Sequence, residues 1–271
     1  MTEKVGDNDC PPISLRDYLQ RSPVEVFPQL PGLVKAIAAQ LARLGEARTT
    51  QVSIRELLWR WHNFDNLVAT FQQYSLHSEV ERLGPTADPL NLYQMLSQRT
   101  NHLWVERQSP THGDLNASNV ALDEVHGAIQ PYIFDASGTS TAVNVRDLAN
   151  LEVTAILHHS LPAPLSLVGF CAPLFTNGLE IPSDETIPDG PPMARNVMKM
   201  VMEIRRNAFR VAEPTIYALM VFDCALIQLG GLSYGLSGNK IENPALAALL
   251  ASYTAFWLHQ LAPHVAGMDD R

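Results

Sequence analysis

The sequence predicts a mainly α fold with a small β-hairpin near its centre. Two observations lead there. Apolar residues recur at helical spacing along most of the chain, and the hydrophobic 46% leans on Leu, Ala and Val, with aromatics at only 7%. Between Val120 and Phe134 alone the pattern becomes two short apolar runs. Asp123-Glu124-Val125-His126-Gly127 makes the turn that separates them.

Residues 1–12 read as a flexible polar tail. Ser14 is placed as an N-cap before Leu15, Tyr18 and Leu19, because its hydroxyl can accept an amide of the first turn. A stronger helix is predicted from Gly32 to Leu44, with Leu33, Ile37, Leu41 and Leu44 on one stripe and Gly45 ending it. The next spans Ile54 to Tyr74. Pro85 and Pro89 punctuate a loop, and a helix from Leu90 to Val105 follows, stopped by Pro110. Residues 13–105 thus read as a helical leader region.

Beyond Asn119, Val120 and Leu122 form one strand, and Ile129, Tyr132, Ile133 and Phe134 the other. Helical spacing returns at Val145, Leu148, Leu151, Ala155 and Ile156. Residues 160–192 are rich in Pro, Gly and acidic groups and read as a long loop or flap. Three helices close the chain, near Met193–Val211, Pro214–Leu229 and Pro244–His259.

Charge narrows the partners. Lys+Arg total 19 against 28 Asp+Glu, a net charge of -9, which argues against nucleic acid and anionic membrane surfaces. The three cysteines, Cys10, Cys171 and Cys224, have neither metal-ligand nor disulfide-framework spacing, so a reducing, cytoplasmic compartment is the simplest expectation. Residues 1–20 lack the basic start and apolar core of a secretory signal, and no apolar stretch reaches membrane-spanning length.

The chemistry concentrates in His112-Gly113-Asp114-Leu115-Asn116-Ala117-Ser118-Asn119. An aspartate and an asparagine share a compact loop with four residues between them, and the apolar pair Ile133-Phe134 delivers a second aspartate, Asp135. Phosphoryl transfer needs an attacking oxygen held in line and phosphate charge neutralised, usually by magnesium. Magnesium takes a few hard oxygen ligands and keeps several waters. Asn119 offers an amide oxygen and Asp135 a carboxylate, while Asp114 can orient a hydroxyl and accept its proton. Gly113 lets the loop turn, and the His112 imidazole can bond neighbouring backbone. A hairpin between Asn119 and Asp135 returns the two ligands to each other at its open end.

The segment Thr111 to Ile156 resembles the catalytic lobe of the aminoglycoside phosphotransferase and choline kinase-like branch of the protein-kinase superfamily. His112-Gly113-Asp114, Asn119, Asp135 and Arg146-Asp147-Leu148-Ala149 carry the resemblance, in that order. It implies a protein-kinase-like C-terminal lobe over residues 106–271, preceded by the helical region. It implies His112 and Asp114 in the catalytic loop, with Asp114 as base, and Asn119 and Asp135 as ligands of Mg2+ for ATP. It also suggests that Asp147 braces the catalytic loop through backbone amides. The upper lobe of such enzymes is not recognisable. Before His112 the glycines are the isolated Gly6, Gly32, Gly45 and Gly84, and the lysines are Lys4 and Lys35.

The expected activity is transfer of the ATP γ-phosphate to a small-molecule hydroxyl, with a partner domain or unusual upper lobe completing the site. The alternative is a catalytically degenerate lobe acting as a binding or scaffold module in a multi-domain bacterial signalling or defence system. A third reading, metal-dependent phosphoester hydrolysis, lacks the repeated Gly-Asp-His and Gly-Asn-His blocks it needs. Other polar residues take plainer roles. Glu152 is expected to be buried and paired with Arg146 or a histidine. His158 and His159 are expected at a helix end. Arg205, Arg206 and Arg210 are expected to bond local acids, and Trp59, Trp61, Trp104 and Trp257 to pack in core or interface. Glu180, Asp184, Glu185 and Asp189 are expected to be solvated, with attraction of a cationic substrate as the sharper alternative.

Overall fold

Ser14 opens the first helix by the chemistry its type suggests: its Oγ accepts the Asp17 amide at 3.0 Å. It also closes a two-residue strand, β1 (Ile13–Ser14), followed by α1 (Leu15–Tyr18), α2 (Pro23–Val26) and α3 (Leu30–Ala42). The computed structural model describes residues 12–58, 67–69, 72, 87–98, 103–125, 128–136, 140–158, 170, 172–176, 181–234 and 244–261. The chain continues through β2 (Arg48–Ser53), α4 (Ile54–Leu57), α5 (Pro89–Gln98) and β3 (Leu103–Thr111). A 3₁₀ turn, Ala117–Asn119, leads into β4 (Val120–Val125), β5 (Ala128–Ile133) and β6 (Ser140–Val143). Then come α6 (Arg146–His158), α7 (Pro173–Thr176), a 3₁₀ turn at Asp184–Thr186, α8 (Pro192–Ala208), α9 (Pro214–Tyr234) and α10 (Pro244–Leu261). Proline opens many of these helices because its fixed φ suits the first turn, where its missing amide has no partner to lose.

The architecture is mainly α with two small antiparallel sheets, ordered β1-β4-β5 and β2-β3-β6. The hairpin lies where the apolar pattern put it, with Val120 opposite Ile133 and Val125 opposite Ala128. The leader departs from expectation. Its predicted helix from Leu90 to Val105 ends at Gln98, and Pro110 sits inside β3, opposite Thr141 of β6. Strand β2 pairs along its whole length with β3, from Arg48 opposite Gln108 to Ser53 opposite Leu103. Its Thr49, Thr50 and Val52 suit a pleated surface, but that preference is realised only against a partner strand far along the chain. Gly45 lets the end of α3 pass over this sheet, since a β-carbon there would lie 2.5 Å from Pro110 Cγ. Of the helix expected over Ile54–Tyr74, residues 59–66, 70–71 and 73–74 lie outside the described residues, as do 160–169 and 177–180 of the expected flap.

Most of the core comes from the later helices, joined by leader residues such as Leu15, Leu30 and Ile37. α9 packs on α10 and α6, and α8 packs on α3 and α6. Buried within it is an ionic cluster. The Glu152 carboxylate of α6 accepts Arg205 Nη2 at 2.6 Å and the Tyr217 hydroxyl at 2.7 Å. Its partner is therefore Arg205, whereas Arg146 pairs with the fully buried Asp223 of α9 at 2.5 Å. Arg205 also donates to the Leu174 carbonyl and lies 4.2 Å from the Trp257 ring centroid and 4.7 Å from that of Phe175. Burial, then the adjacent Glu152 charge, push the Tyr217 phenol well above its ordinary range, so it stays a hydrogen-bond donor. The Cys224 thiol, also fully buried, is pushed up to about 12 and is chemically quiet. Cys10 and Cys171 lie outside the described residues, as does the side chain of Trp104. Among the described residues no helix is long and apolar enough to cross a membrane.

Candidate active site

The motif loop joins the two sheets. β3 ends at Thr111, the loop runs from His112 to Asn119, and β4 begins at Val120. Three local devices shape it. Gly113 adopts φ 88°, a backbone conformation that side chains disfavour. Leu115 and Ala117 are buried and anchor the loop to the core. Asn116 caps the 3₁₀ turn, its Oδ1 accepting the amides of Ser118 at 2.9 Å and Asn119 at 3.2 Å.

From α6, two side chains hold this loop from below. The buried Asp147 carboxylate accepts the amide of His112 at 2.7 Å and that of Gly113 at 3.0 Å. Burial raises its pKa above the ordinary aspartate range, against the pull of those two donors. One turn later, Asn150 donates to the Leu115 carbonyl at 3.0 Å. The expected replacement Gly113→Ala forces a β-carbon into the left-handed region and loosens both Asp147 bonds. Its cost, read by urea denaturation, is about 1–3 kcal/mol.

Asp135 arrives from the other side. The Phe134 amide donates to the Asn119 carbonyl at 3.1 Å, so residues 119 and 135 are near neighbours at the open end of the hairpin. The His112 ring spans the remaining gap, with Nε2 2.8 Å from the Phe134 carbonyl. A carbonyl only accepts, so Nε2 carries a proton. Nδ1 is buried with no hydrogen-bond partner among the described residues. Asp135 itself holds φ 61°, a left-handed conformation unusual outside glycine. His112 is buried and acts as a brace between the loop and the residue preceding Asp135.

Asp114 and Asp135 are exposed and Asn119 is half-buried, so all three are accessible from solvent. The Asn119 amide nitrogen donates to the Asp114 carbonyl at 2.9 Å, which ties the two residues together and turns Oδ1 into the uncommitted atom. Carboxylate and amide oxygens of this kind are hard donors, which suit magnesium or manganese far better than zinc. Among the described residues no group of three His, Cys, Asp or Glu side chains is placed to hold a metal.

The residues that sequence reasoning passed over are Asn116, as the cap, and Asn150. Asn150 lies one helical turn from Asp147 on α6, a spacing that could have flagged it. The acidic flap is partly neutralised: Asp184 bonds Lys199 Nζ at 2.6 Å and lies 3.6 Å from Arg206, and Asp189 lies 3.9 Å from Arg195. Glu180, His159, Trp59 and Trp61 fall outside the described residues. Compared with known proteins, the chain matches no family model and no curated protein sequence.

Proposed function

We propose that this chain is a kinase-like phosphotransferase that moves the γ-phosphate of ATP onto the hydroxyl of a small molecule. The observation that carries the reading is the meeting of the 112–119 loop with Asp135 at the hairpin's open end, Asp135 in a left-handed backbone. A non-glycine residue held there costs about 1–3 kcal/mol and persists where its surroundings over-determine it, which is common at functional sites. In the proposed reaction Asp114 orients the acceptor hydroxyl and takes its proton as the oxygen bonds to phosphorus and ADP leaves. Asn119 Oδ1 and the Asp135 carboxylate hold Mg2+, which neutralises the phosphate charge when bound. His112, Asp147 and Asn150 keep the loop in place and touch no substrate.

A second reading, a degenerate lobe used as a scaffold, draws on the leader. α2 and α3 pack on α8, β1 extends the hairpin sheet, and Lys35 sits exposed on α3 rather than in a strand. A thermal-shift titration separates the two. At MgATP about tenfold above its dissociation constant, the phosphotransferase reading expects stabilisation of about 1.4 kcal/mol, or about 3–6 °C. Asp135→Asn should abolish that shift. A melting temperature indifferent to millimolar MgATP would favour the scaffold.

A further inference from the structure

β5 is the outer strand of its sheet, and its free edge should present an unpaired carbonyl and amide at every second residue. Ile129, Pro131 and Ile133 are those residues. Phe134, the next out of phase, donates inward to the Asn119 carbonyl at 3.1 Å. Pro131 is tolerated in this strand because its missing amide falls on the unpaired side. One side chain from the leader bonds this edge at both Pro131 and Ile133. Gln40 of α3 donates from Nε2 to the Pro131 carbonyl and accepts the Ile133 amide on Oε1 at 3.3 Å. One primary amide thus reproduces the donor–acceptor pair that a neighbouring strand's peptide would offer. The amide orientation follows from the partners, since a carbonyl only accepts and an N–H only donates.

Ile133 is two residues before Asp135, so this bond pair bears on how the strained aspartate is presented. The strand segment is gripped on both edges: by the Asn119 carbonyl and His112 on one, and by Gln40 on the other. We propose that Gln40 is a positioning residue for the metal-binding limb, and that α3 is thereby a control element of the site rather than a passive leader. The proposal rests on the phosphotransferase reading, because it gives Asp135 a metal to hold. It extends that reading to a helix whose contact with the site lies 93 residues away in sequence.

The test is a Mn2+ titration of the full chain followed by electron paramagnetic resonance, with and without a non-hydrolysable ATP analogue. Gln40→Leu removes both bonds at similar volume and should weaken Mn2+ binding about tenfold, the scale seen for groups that orient metal ligands. In turnover it should raise the metal concentration needed for half-maximal rate while leaving the rate at saturating metal close to wild type. Gln40→Glu keeps the acceptor for Ile133 and should lose less, and it carries the test should Gln40→Leu fail to fold. Leu33→Ala is the control: it loosens α3 from the core without touching either bond, and should lower the melting temperature but not the Mn2+ affinity. Unchanged Mn2+ binding in both Gln40 variants, or an equal loss in Leu33→Ala, overturns the inference and leaves the phosphotransferase reading standing. A wild-type chain that binds no Mn2+ in either condition overturns the reading and the inference with it.

Discussion

Asp114→Asn is expected to lower turnover by about 10²–10⁴-fold, the contribution typical of a positioned general base. The substitution keeps the shape of the side chain but removes its negative charge and its capacity to take a proton. The hydrogen bonds that shape the loop run through other groups. The Asp114 backbone carbonyl, which receives the Asn116 and Asn119 amides at 3.3 and 2.9 Å, is unaltered. The loop's other anchors, Asp147 and Asn150, attach to residues 112, 113 and 115. Stability should therefore stay within about 0.5 kcal/mol of wild type. Steady-state kinetics with MgATP and a panel of hydroxyl acceptors, alongside urea denaturation, checks both halves. A variant that turns over as fast as wild type would remove Asp114 from the proposed chemistry.

Glu152→Leu should be among the most destabilising single changes in the described core. It strips the carboxylate from Arg205, whose side chain is 3% exposed, and leaves a guanidinium with no counter-charge. Breaking a buried pair from one side costs about 3–5 kcal/mol, a large part of the 5–15 kcal/mol that holds a typical domain together. The paired replacement, Glu152→Leu with Arg205→Met, removes both charges and should recover much of that loss. Recovery stays incomplete because the Tyr217 hydroxyl and the Leu174 carbonyl then lose partners they have now. Denaturant unfolding of the two single variants and the double yields the coupling directly. Additive losses would mean that the cluster is held by packing around Trp257 and Phe175 rather than by the ion pair.

These expectations divide along a line that runs through the whole molecule. The hairpin, α3 and the closing helices α8, α9 and α10 were legible because their signals are local. Apolar spacing, a serine cap and opening prolines act within one or two turns of chain. The segment after α5 was misjudged for the opposite reason. Leu103–Val105 continues the apolar run of the expected helix, and only the pairing of β3 with β2 on one edge and β6 on the other makes it part of a strand. β2 itself carries too little apolar alternation to announce a strand, having just Val52 buried along its length.

The candidate site shows the same division. Residue types and spacing around His112, Asp114, Asn119 and Asp135 marked the loop before any fold was known, because a tight polar loop and a strand-borne aspartate are short-range features. The family resemblance, not spacing, singled out Asp147, whose carboxylate takes the His112 and Gly113 amides. Choice of partner is another matter. That Glu152 takes Arg205 and not Arg146, that Arg146 takes Asp223, and that Gln40 bonds the edge of β5 are outcomes of helix packing. Each joins groups 53 to 93 residues apart. One buried charge has many candidate counter-charges along a chain, and burial selects among them only once helices have docked. Local composition thus set which elements form and where the reactive side chains ride. The docked fold decided which groups meet, because hydrogen-bond and ion-pair geometry depends on distances that no local pattern encodes.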